Sequence, residues 1–237
     1  MTPAADQAAL DVRVAAAVAE ARERIDAVAA GRSVTLVAVT KGFGPAEVLA
    51  AVRAGADACG ENYAQELLAK DEALAAAGES RPSWHFVGRL QRNKVRQLAP
   101  HVALWQSVDR VELGAEIARR SPGASVLVQC NISAEATKGG CAPGEVPAVV
   151  DALVDLDLEV RGLMGVAAEG STDEARRSFD LLVGLADRLG LPERSIGMSG
   201  DFESAVAAGA TMVRLGTVVF GRRAQRSRPE PPGATAG

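Results

Sequence analysis

Lys41 is the side chain of this sequence that is best placed for covalent chemistry. It follows the run Val34–Thr40, whose alternating β-branched residues predict a short buried strand, and it precedes Gly42–Pro45, which ends that strand and starts a helix. Unlike a guanidinium, an amine can lose its proton and attack a carbonyl, and arginine supplies nearly all the other positive charge. The position suggests a Schiff-base lysine, although a surface lysine at a strand end fits the pattern equally well. The remaining lysines are Lys70, Lys94 and Lys138.

Two loops in the C-terminal quarter could hold an anion. Met198–Glu203 places a Ser-Gly turn between a strand and a helix, where backbone N–H groups and the helix dipole attract negative charge. Val213–Thr217 supplies a second loop, in which Gly216 allows close backbone approach. Either loop alone is typical of a helix cap or a β-turn, but together with a strand-end lysine they favour a phosphorylated ligand. Asp201 and Glu203 would repel a phosphate, so we expect both carboxylates to point away from it.

The composition excludes several classes of partner. A net charge of -4 argues against nucleic acid and anionic membranes, and an aromatic content of 3% leaves little for base stacking. Cys59, Cys130 and Cys141 are odd in number and widely spaced, which indicates neither a disulfide framework nor a Cys-x-x-Cys metal site. The sequence starts without the features of a signal peptide, and its apolar runs are too short to span a bilayer. We therefore expect a soluble cytoplasmic protein with reduced thiols and no membrane partner.

Predicted strands and helices alternate along the chain. The strands are predicted at Val34–Thr40, Ala56–Cys59, Trp84–Gly88, Val102–Gln106, Ser125–Ile132, Leu158–Val166, Ser195–Met198 and Met212–Leu215. The helices are predicted at Ala5–Ala29, Ala46–Arg53, Ala64–Ala76, Asn93–Leu98, Val111–Arg119, Val146–Leu153, Thr172–Leu189 and Asp201–Ala207. This alternation implies parallel pairing, and the length is close to the roughly 250 residues of a (β/α)8 barrel. No Gly-x-Gly-x-x-Gly motif follows the first strand, so the barrel is favoured over a doubly wound open sheet.

The barrel assignment sets the domain boundaries and narrows the chemistry. Residues 1–223 are predicted to form a single domain with an extra N-terminal helix, and residues 224–237, which lack periodicity, are predicted to form a disordered tail. In such barrels the loops after strands seven and eight frequently bind a phosphate. An amine facing that site is compatible with a Schiff base to pyridoxal 5'-phosphate, or to a sugar phosphate as in a Schiff-base aldolase. An aldolase usually carries its lysine on a later strand beside proton-shuttling acids, so Lys41 on the first strand favours the cofactor.

Motifs spread in order along the chain carry a family resemblance. They are Ala38–Lys41, Gly60–Glu66, Trp84–Lys94, Ser107–Asp109, Asn131–Ser133 with Thr137–Gly140, Gly162–Gly165, Met198–Phe202, and Gly209–Thr217 with Phe220–Gly221. Together they resemble the pyridoxal-phosphate homeostasis protein family over nearly the whole chain, from Ala5 to Arg223. The resemblance implies a single barrel similar to the N-terminal domain of alanine racemases.

The resemblance also implies the function and the site. The barrel would hold pyridoxal 5'-phosphate as a Schiff base on Lys41, for intracellular storage and delivery. Arg214 would face the pyridine nitrogen, and because a guanidinium cannot accept a proton, the ring stays a poor electron sink. The phosphate would be bound by Ser199, Gly200, Gly216 and Thr217.

A carrier is therefore expected rather than an enzyme, and no catalytic residue is assigned. We expect no second domain to supply the tyrosine base of the racemases, and the one tyrosine of the chain, Tyr63, lies on the second βα loop. The alternatives are a pyridoxal-phosphate-dependent amino-acid racemase or decarboxylase, and a Schiff-base sugar-phosphate aldolase.

Asn62 and Met164 complete the predicted cofactor site. Asn62 fits an N-cap with Gln65 at the capping-box position as well as it fits a cofactor contact. Met164 would pack the barrel mouth against the cofactor. Lys138, in a glycine-rich loop, is expected to be a mobile surface cation, with a second aldehyde-trapping amine as the alternative.

The two histidines are not expected to carry chemistry. His85, between Trp84 and Phe86, is predicted to be a hydrogen-bonded barrel residue, and His101 an exposed residue before a strand. Two histidines and scattered acids make no metal site. We expect pyridoxal 5'-phosphate as the ligand, pyridoxal-phosphate-dependent apoenzymes as candidate partners, and a monomer.

Overall fold

The computed structural model describes residues 3–135, 137–168 and 170–222. Its strands are β1 Thr35–Val39, β2 Ala58–Glu61, β3 Trp84–Phe86, β4 Val102–Val108, β5 Ser125–Gln129, β6 Glu159–Met164, β7 Glu193–Met198 and β8 Met212–Leu215. Its α-helices are α1 Pro3–Ala29, α2 Pro45–Arg53, α3 Ala64–Ala76, α4 Val95–Leu98, α5 Val111–Arg120, α6 Val146–Val154, α7 Thr172–Arg188, α8 Phe202–Ala208 and α9 Thr217–Phe220, with a 3-10 helix at Arg92–Lys94. The predicted tail, 224–237, lies outside the described residues.

The strands form a closed parallel barrel. Each strand pairs with the next in sequence order, and β8 returns to β1, where Thr35 lies opposite Met212 and Ala38 opposite Leu215. The prediction of a (β/α)8 barrel is therefore confirmed, and the doubly wound sheet is wrong. Because all the strands run the same way, their carboxyl ends and the loops that follow meet at one rim.

Two apolar layers hold the barrel together. The larger layer lies between the strands and the surrounding helices and contains the largest buried side chains, among them Trp84, Trp105 and Phe179. A smaller layer fills the inside of the barrel with Val37, Ala58, Leu104, Leu127, Met164 and Met212. Medium-sized side chains suffice there because the interior of an eight-stranded barrel is just wide enough for side chains to fill.

The N-terminal helix α1 packs on the outside of the barrel against α2 and α8. Arg13 Nη1 donates to the carbonyl of Phe220 (2.9 Å), and Arg22 Nη1 donates to the carbonyl of Val34 (2.8 Å), so both ends of the barrel sequence are tied to this helix. The predicted extra helix is confirmed. Among the described helices, none combines the length and apolarity that crossing a bilayer requires.

Most predicted strand boundaries differ from the structure by one to three residues, and for two strands the reason is local. Strand β2 begins later than predicted because Gly55, with a left-handed φ of +81°, opens a turn, and the Asp57 carboxylate accepts from the Leu36 backbone N–H (2.6 Å). Strand β5 ends at Gln129 because the chain then pairs with its own loop, where the Cys141 N–H donates to the Gln129 carbonyl (2.9 Å). Helix α9, directly after β8, was not predicted.

Candidate functional site

Lys41 lies just past β1, in the turn that leads into α2. Its half-buried side chain lines a cavity of about 430 Å³ at the rim where the strands end. The loops after β7 and β8 line the same cavity through Ser199, Gly200, Gly216 and Thr217. The structure thus brings together the predicted amine and both predicted anion loops, and the other predicted site residues, Asn62, Met164 and Arg214, line the cavity as well.

The two loops predicted to bind an anion are bonded to each other. Ser199 Oγ accepts from the backbone N–H of Gly216 (3.3 Å) and from that of Val218 (3.2 Å). A Cβ on Gly216 would lie 3.3 Å from the Val39 carbonyl oxygen, so a residue without a side chain lets this loop pack closely against β1. The two loops therefore form one hydrogen-bonded unit rather than two separate turns.

The acidic residues of the β7–α8 loop have fixed partners. Asp201 Oδ1 accepts from the Met198 backbone N–H (2.6 Å), and Glu203 pairs with Arg24 on α1 (2.9 Å). Neither residue lines the Lys41 cavity. Their absence from the lining agrees with the expectation that these carboxylates point away from a bound anion.

Arg214, on β8, is a buried cation with fixed partners. Its Nη1 donates to the Ser195 carbonyl (2.6 Å) and to Ser195 Oγ (2.8 Å), and its Nη2 donates to the Gly165 carbonyl (2.8 Å). Burial lowers the pKa of Arg214 to about 10, although the charge of Asp201 opposes the shift. The guanidinium therefore remains protonated at neutral pH and can only donate hydrogen bonds.

A polar network inside the barrel supports this arginine. Ser195 Oγ donates to Gln106 Oε1 (2.7 Å), and Gln106 Nε2 lies 2.9 Å from His85 Nδ1. Burial lowers the pKa of His85 to about 4, so the imidazole is neutral at pH 7. The prediction that His85 is a hydrogen-bonded barrel residue agrees with these contacts.

A buried cluster of charged side chains binds the backbone on both sides of Lys41. Lys70 Nζ donates to the carbonyl of Thr40 (2.7 Å) and pairs with Glu61, and Thr40 Oγ1 donates to Glu61 Oε1 (2.8 Å). On the other side of Lys41, the Gly42 N–H donates to Glu66 Oε2 (2.7 Å). Lys70 is 4% exposed and Glu61 is fully buried. These side chains fix the backbone on both sides of the amine.

Sequence reasoning missed this Lys70 cluster. Its one signal is the spacing of Glu66 and Lys70, four residues apart on one face of α3. Such pairs usually lie on a solvated helix face, and nothing local shows that Glu61, at the end of β2, meets them inside the protein.

Asn62 does not cap α3. The helix begins at Ala64 with Tyr63 as its N-cap residue, and no side chain caps it. The Asn62 N–H instead donates to Glu61 Oε2 (3.0 Å), while Asn62 Oδ1 is buried without a hydrogen-bond partner among the described residues. The N-cap alternative is therefore wrong. Asn62 lines the cavity, and the oxygen of its side-chain amide accepts no hydrogen bond from the described residues.

We expect Gly88→Ala to damage the site by displacing Asn62. The added Cβ would lie 2.2 Å from the Asn62 carbonyl oxygen and 2.5 Å from its Cα, so the backbone must move. Overpacking of this kind costs about 1–3 kcal/mol of unfolding free energy. Urea unfolding would measure that loss, and a ligand titration should show weaker binding in the Lys41 cavity.

Gly144→Ala is the matched control for this substitution. A Cβ at Gly144 would meet nothing within 4 Å, so stability and binding should stay unchanged. Equal behaviour of the two alanine variants would contradict the role given to Gly88.

Two other predictions are wrong in the structure. Lys138 is not a mobile surface cation, because its Nζ donates to Glu135 Oε1 (2.7 Å) and to the Ala167 carbonyl (2.8 Å). Lys138 does not line the Lys41 cavity. His101 is half-buried, and its Nδ1 lies 2.7 Å from Asp71 Oδ2. In both cases a partner distant in sequence orders a side chain that looked exposed.

The known proteins that resemble this chain agree with one another. The family model of the alanine racemase N-terminal domain matches residues 15–224. The pyridoxal phosphate homeostasis protein of Pseudomonas aeruginosa is 42% identical over 216 residues, which cover 86% of this chain and 92% of that protein. The protein of the same name in Escherichia coli is 37% identical over 221 residues, covering 86% of this chain and 94% of that one.

A solved structure agrees with these sequence relatives. The structure of PipY from Synechococcus elongatus with PLP bound superposes with a TM-score of 0.77 at 31% identity, covering 88% of this chain and all of PipY. Fold, sequence and cavity point the same way, and the chain belongs to the pyridoxal phosphate homeostasis protein family.

Proposed function

We propose that the protein binds pyridoxal 5'-phosphate in the Lys41 cavity and serves in its intracellular homeostasis, storing the cofactor and delivering it to other proteins. The observation that carries this proposal is the single cavity shared by the Lys41 amine and the bonded loops after β7 and β8. Family membership supports it, as does the bound PLP in the solved structure of PipY.

The side chains of the cavity fit this cofactor. Its volume, about 430 Å³, lies in the range of small-ligand sites. When bound, the cofactor supplies an aldehyde that forms a reversible Schiff base with a primary amine, and a phosphate that requires hydrogen-bond donors. Lys41 would supply the amine, Met164 an apolar wall, and the unpartnered Asn62 Oδ1 an acceptor. The phosphate would be held by the backbone and hydroxyls of Ser199, Gly200, Gly216 and Thr217.

Arg214 supports a carrier rather than an enzyme. Its guanidinium keeps its own proton at neutral pH, so it can donate to a ring nitrogen but cannot accept from one or protonate it. Carbanion chemistry on this cofactor needs the electron withdrawal of a protonated ring. Apart from Lys41 itself, the described residues that line the cavity include no lysine, tyrosine, histidine, aspartate, glutamate or cysteine to act as a general base.

The same lining argues against the alternative functions. A racemase or a decarboxylase needs a proton donor or acceptor beside the reacting carbon, and an aldolase needs acids that shuttle protons. Tyr63 lines a different cavity. The proposal therefore assigns no turnover, and it places binding in the cytoplasm on a monomeric barrel that hands the cofactor to pyridoxal-phosphate-dependent apoenzymes.

Borohydride trapping tests this function. The purified protein should be yellow after incubation with pyridoxal 5'-phosphate, lose that colour on reduction, and carry the added mass on the peptide that contains Lys41. A chain that remains colourless and unmodified after incubation would refute the proposal. Turnover of any member of an amino-acid panel above that of free cofactor would instead favour the enzyme alternatives.

A further inference from the structure

A second cavity, of about 600 Å³, lies beside the Lys41 cavity and shares Asn62 with it. It is built by the β2–α3 loop, by the segment that follows β3, and by Arg110 at the start of α5. Each of these segments follows a strand, so the cavity opens on the same rim as the Lys41 cavity. Neither its volume nor its side chains, Asn62 apart, are used in the function proposed above.

The second cavity is positively charged. Arg89, Lys94 and Arg110 line it, and no aspartate or glutamate does. Arg110 pairs with Asp109, whereas no carboxylate of the described residues forms an ion pair with Arg89 or Lys94. The chain as a whole carries a net charge of -4, so three cations around one concave space are a local departure from its average charge. Such a space favours an anionic ligand.

The start of α3 adds donors to this space. Ala64 and Gln65 line the cavity, and the N-cap Tyr63 provides no side-chain hydrogen bond to the helix. The first N–H groups of a helix lack intrahelical acceptors, and the helix dipole favours an anion there. The exposed ring of Tyr63 forms an aromatic part of the wall, whereas Phe86 and Leu90 are buried. The lining thus combines cations and amides with one accessible aromatic ring.

We propose that this second cavity binds a small phosphate monoester carried on an aromatic ring. Arg89 and Lys94 bind the phosphate, and the ring lies against Tyr63, which is 56% exposed. Because Asn62 lines both cavities, an occupant of the second cavity contacts the same side chain as an occupant of the first. The inference stands on the lining of this cavity alone and does not require that Lys41 react with an aldehyde.

Phenyl phosphate is a suitable probe because it has no aldehyde. It would be titrated calorimetrically against protein whose Lys41 cavity has first been filled by pyridoxal 5'-phosphate and borohydride, with the filling checked by mass. We expect one phenyl phosphate to bind per chain. The double variant Arg89→Gln/Lys94→Gln should bind it at least about tenfold more weakly, since each lost charge-assisted hydrogen bond is worth roughly that factor.

Arg92→Gln is the matched control. Arg92 is an exposed cation of the same segment that does not line the cavity, so its loss should change the affinity by no more than about twofold. Unchanged melting temperatures would show that the variants are folded. If the double variant does not fold, Lys94→Gln alone would replace it. Absence of phenyl phosphate binding, equal weakening by Arg92→Gln, or unaltered binding by the double variant would each overturn the site.

Two further results separate the parts of the proposal. Inorganic phosphate should bind more weakly than phenyl phosphate, and equal affinity would overturn the role of the ring. If the mass shows no filling of the Lys41 cavity, the function proposed for Lys41 fails. The second cavity is still tested by comparing the same variants on the unreduced chain.

Discussion

Replacement of Lys41 by arginine should abolish the borohydride-stable adduct with pyridoxal 5'-phosphate. Arginine keeps the positive charge at the end of β1, but a guanidinium does not lose its proton at neutral pH and cannot attack the aldehyde. The loops at Ser199 and Gly216 stay intact, so reversible binding of the phosphate should persist at reduced affinity. Mass spectrometry of the reduced protein should show as little added mass as a chain never exposed to the cofactor, and Lys41→Ala should behave in the same way.

Lys138→Ala is the control that shows whether the adduct is specific to Lys41. Lys138 lies outside the cavity, and its amine is held by Glu135 and by the Ala167 carbonyl. The adduct on Lys41 should therefore form in Lys138→Ala as it does in the original chain. Survival of the adduct in Lys41→Arg together with its loss in Lys138→Ala would move the covalent bond to Lys138.

The barrel could be predicted from the sequence because its signals are local. Alternating β-branched runs, helix starts and glycine turns recur with the period of a βα unit, and the bounds of Met212–Leu215 and Ala64–Ala76 were predicted correctly. The meeting of Lys41 with the loops after β7 and β8 follows from the same pattern, because parallel strands in a closed barrel place their carboxyl ends at one rim.

The remaining features depend on contacts between distant residues. Lys138 is held by the carbonyl of Ala167, and His101 by the carboxylate of Asp71, pairings that no periodicity specifies. The second cavity likewise arises where the segments after β2 and β3 come together with Arg110. The sequence does not show which residue a cationic side chain will contact. Lys138, His101 and the cations of the second cavity therefore looked like ordinary solvated residues.

The Lys70 cluster is the strongest example, and it leads to a large predicted effect on stability. Lys70→Met keeps most of the side-chain volume but leaves the fully buried Glu61 carboxylate without its cation. Breaking a buried pair by removing one partner costs about 3–5 kcal/mol. For a domain of this size the melting temperature should fall by roughly 6–20 °C, and denaturant unfolding should show the same loss.

Two comparisons isolate the cause of that loss. The pair Arg176–Asp180 has the same spacing as Glu66–Lys70 but is exposed, so Arg176→Met should cost no more than about 1 kcal/mol. Adding Glu61→Gln to Lys70→Met removes the stranded charge and should recover part of the stability, because the two positions act as a pair. If Lys70→Met is no more harmful than Arg176→Met, the buried pair contributes little to stability.

The same variant tests whether the cluster positions the reactive amine. Lys70 donates to the carbonyl that immediately precedes Lys41, so without it the backbone at Thr40 loses one of its fixed contacts. Adduct formation should become slower in folded Lys70→Met protein, and Lys70→Arg, which keeps a donor and a charge, should restore part of the rate. An unchanged rate of trapping in a folded, destabilised Lys70→Met variant would mean that the cluster stabilises the barrel without orienting Lys41.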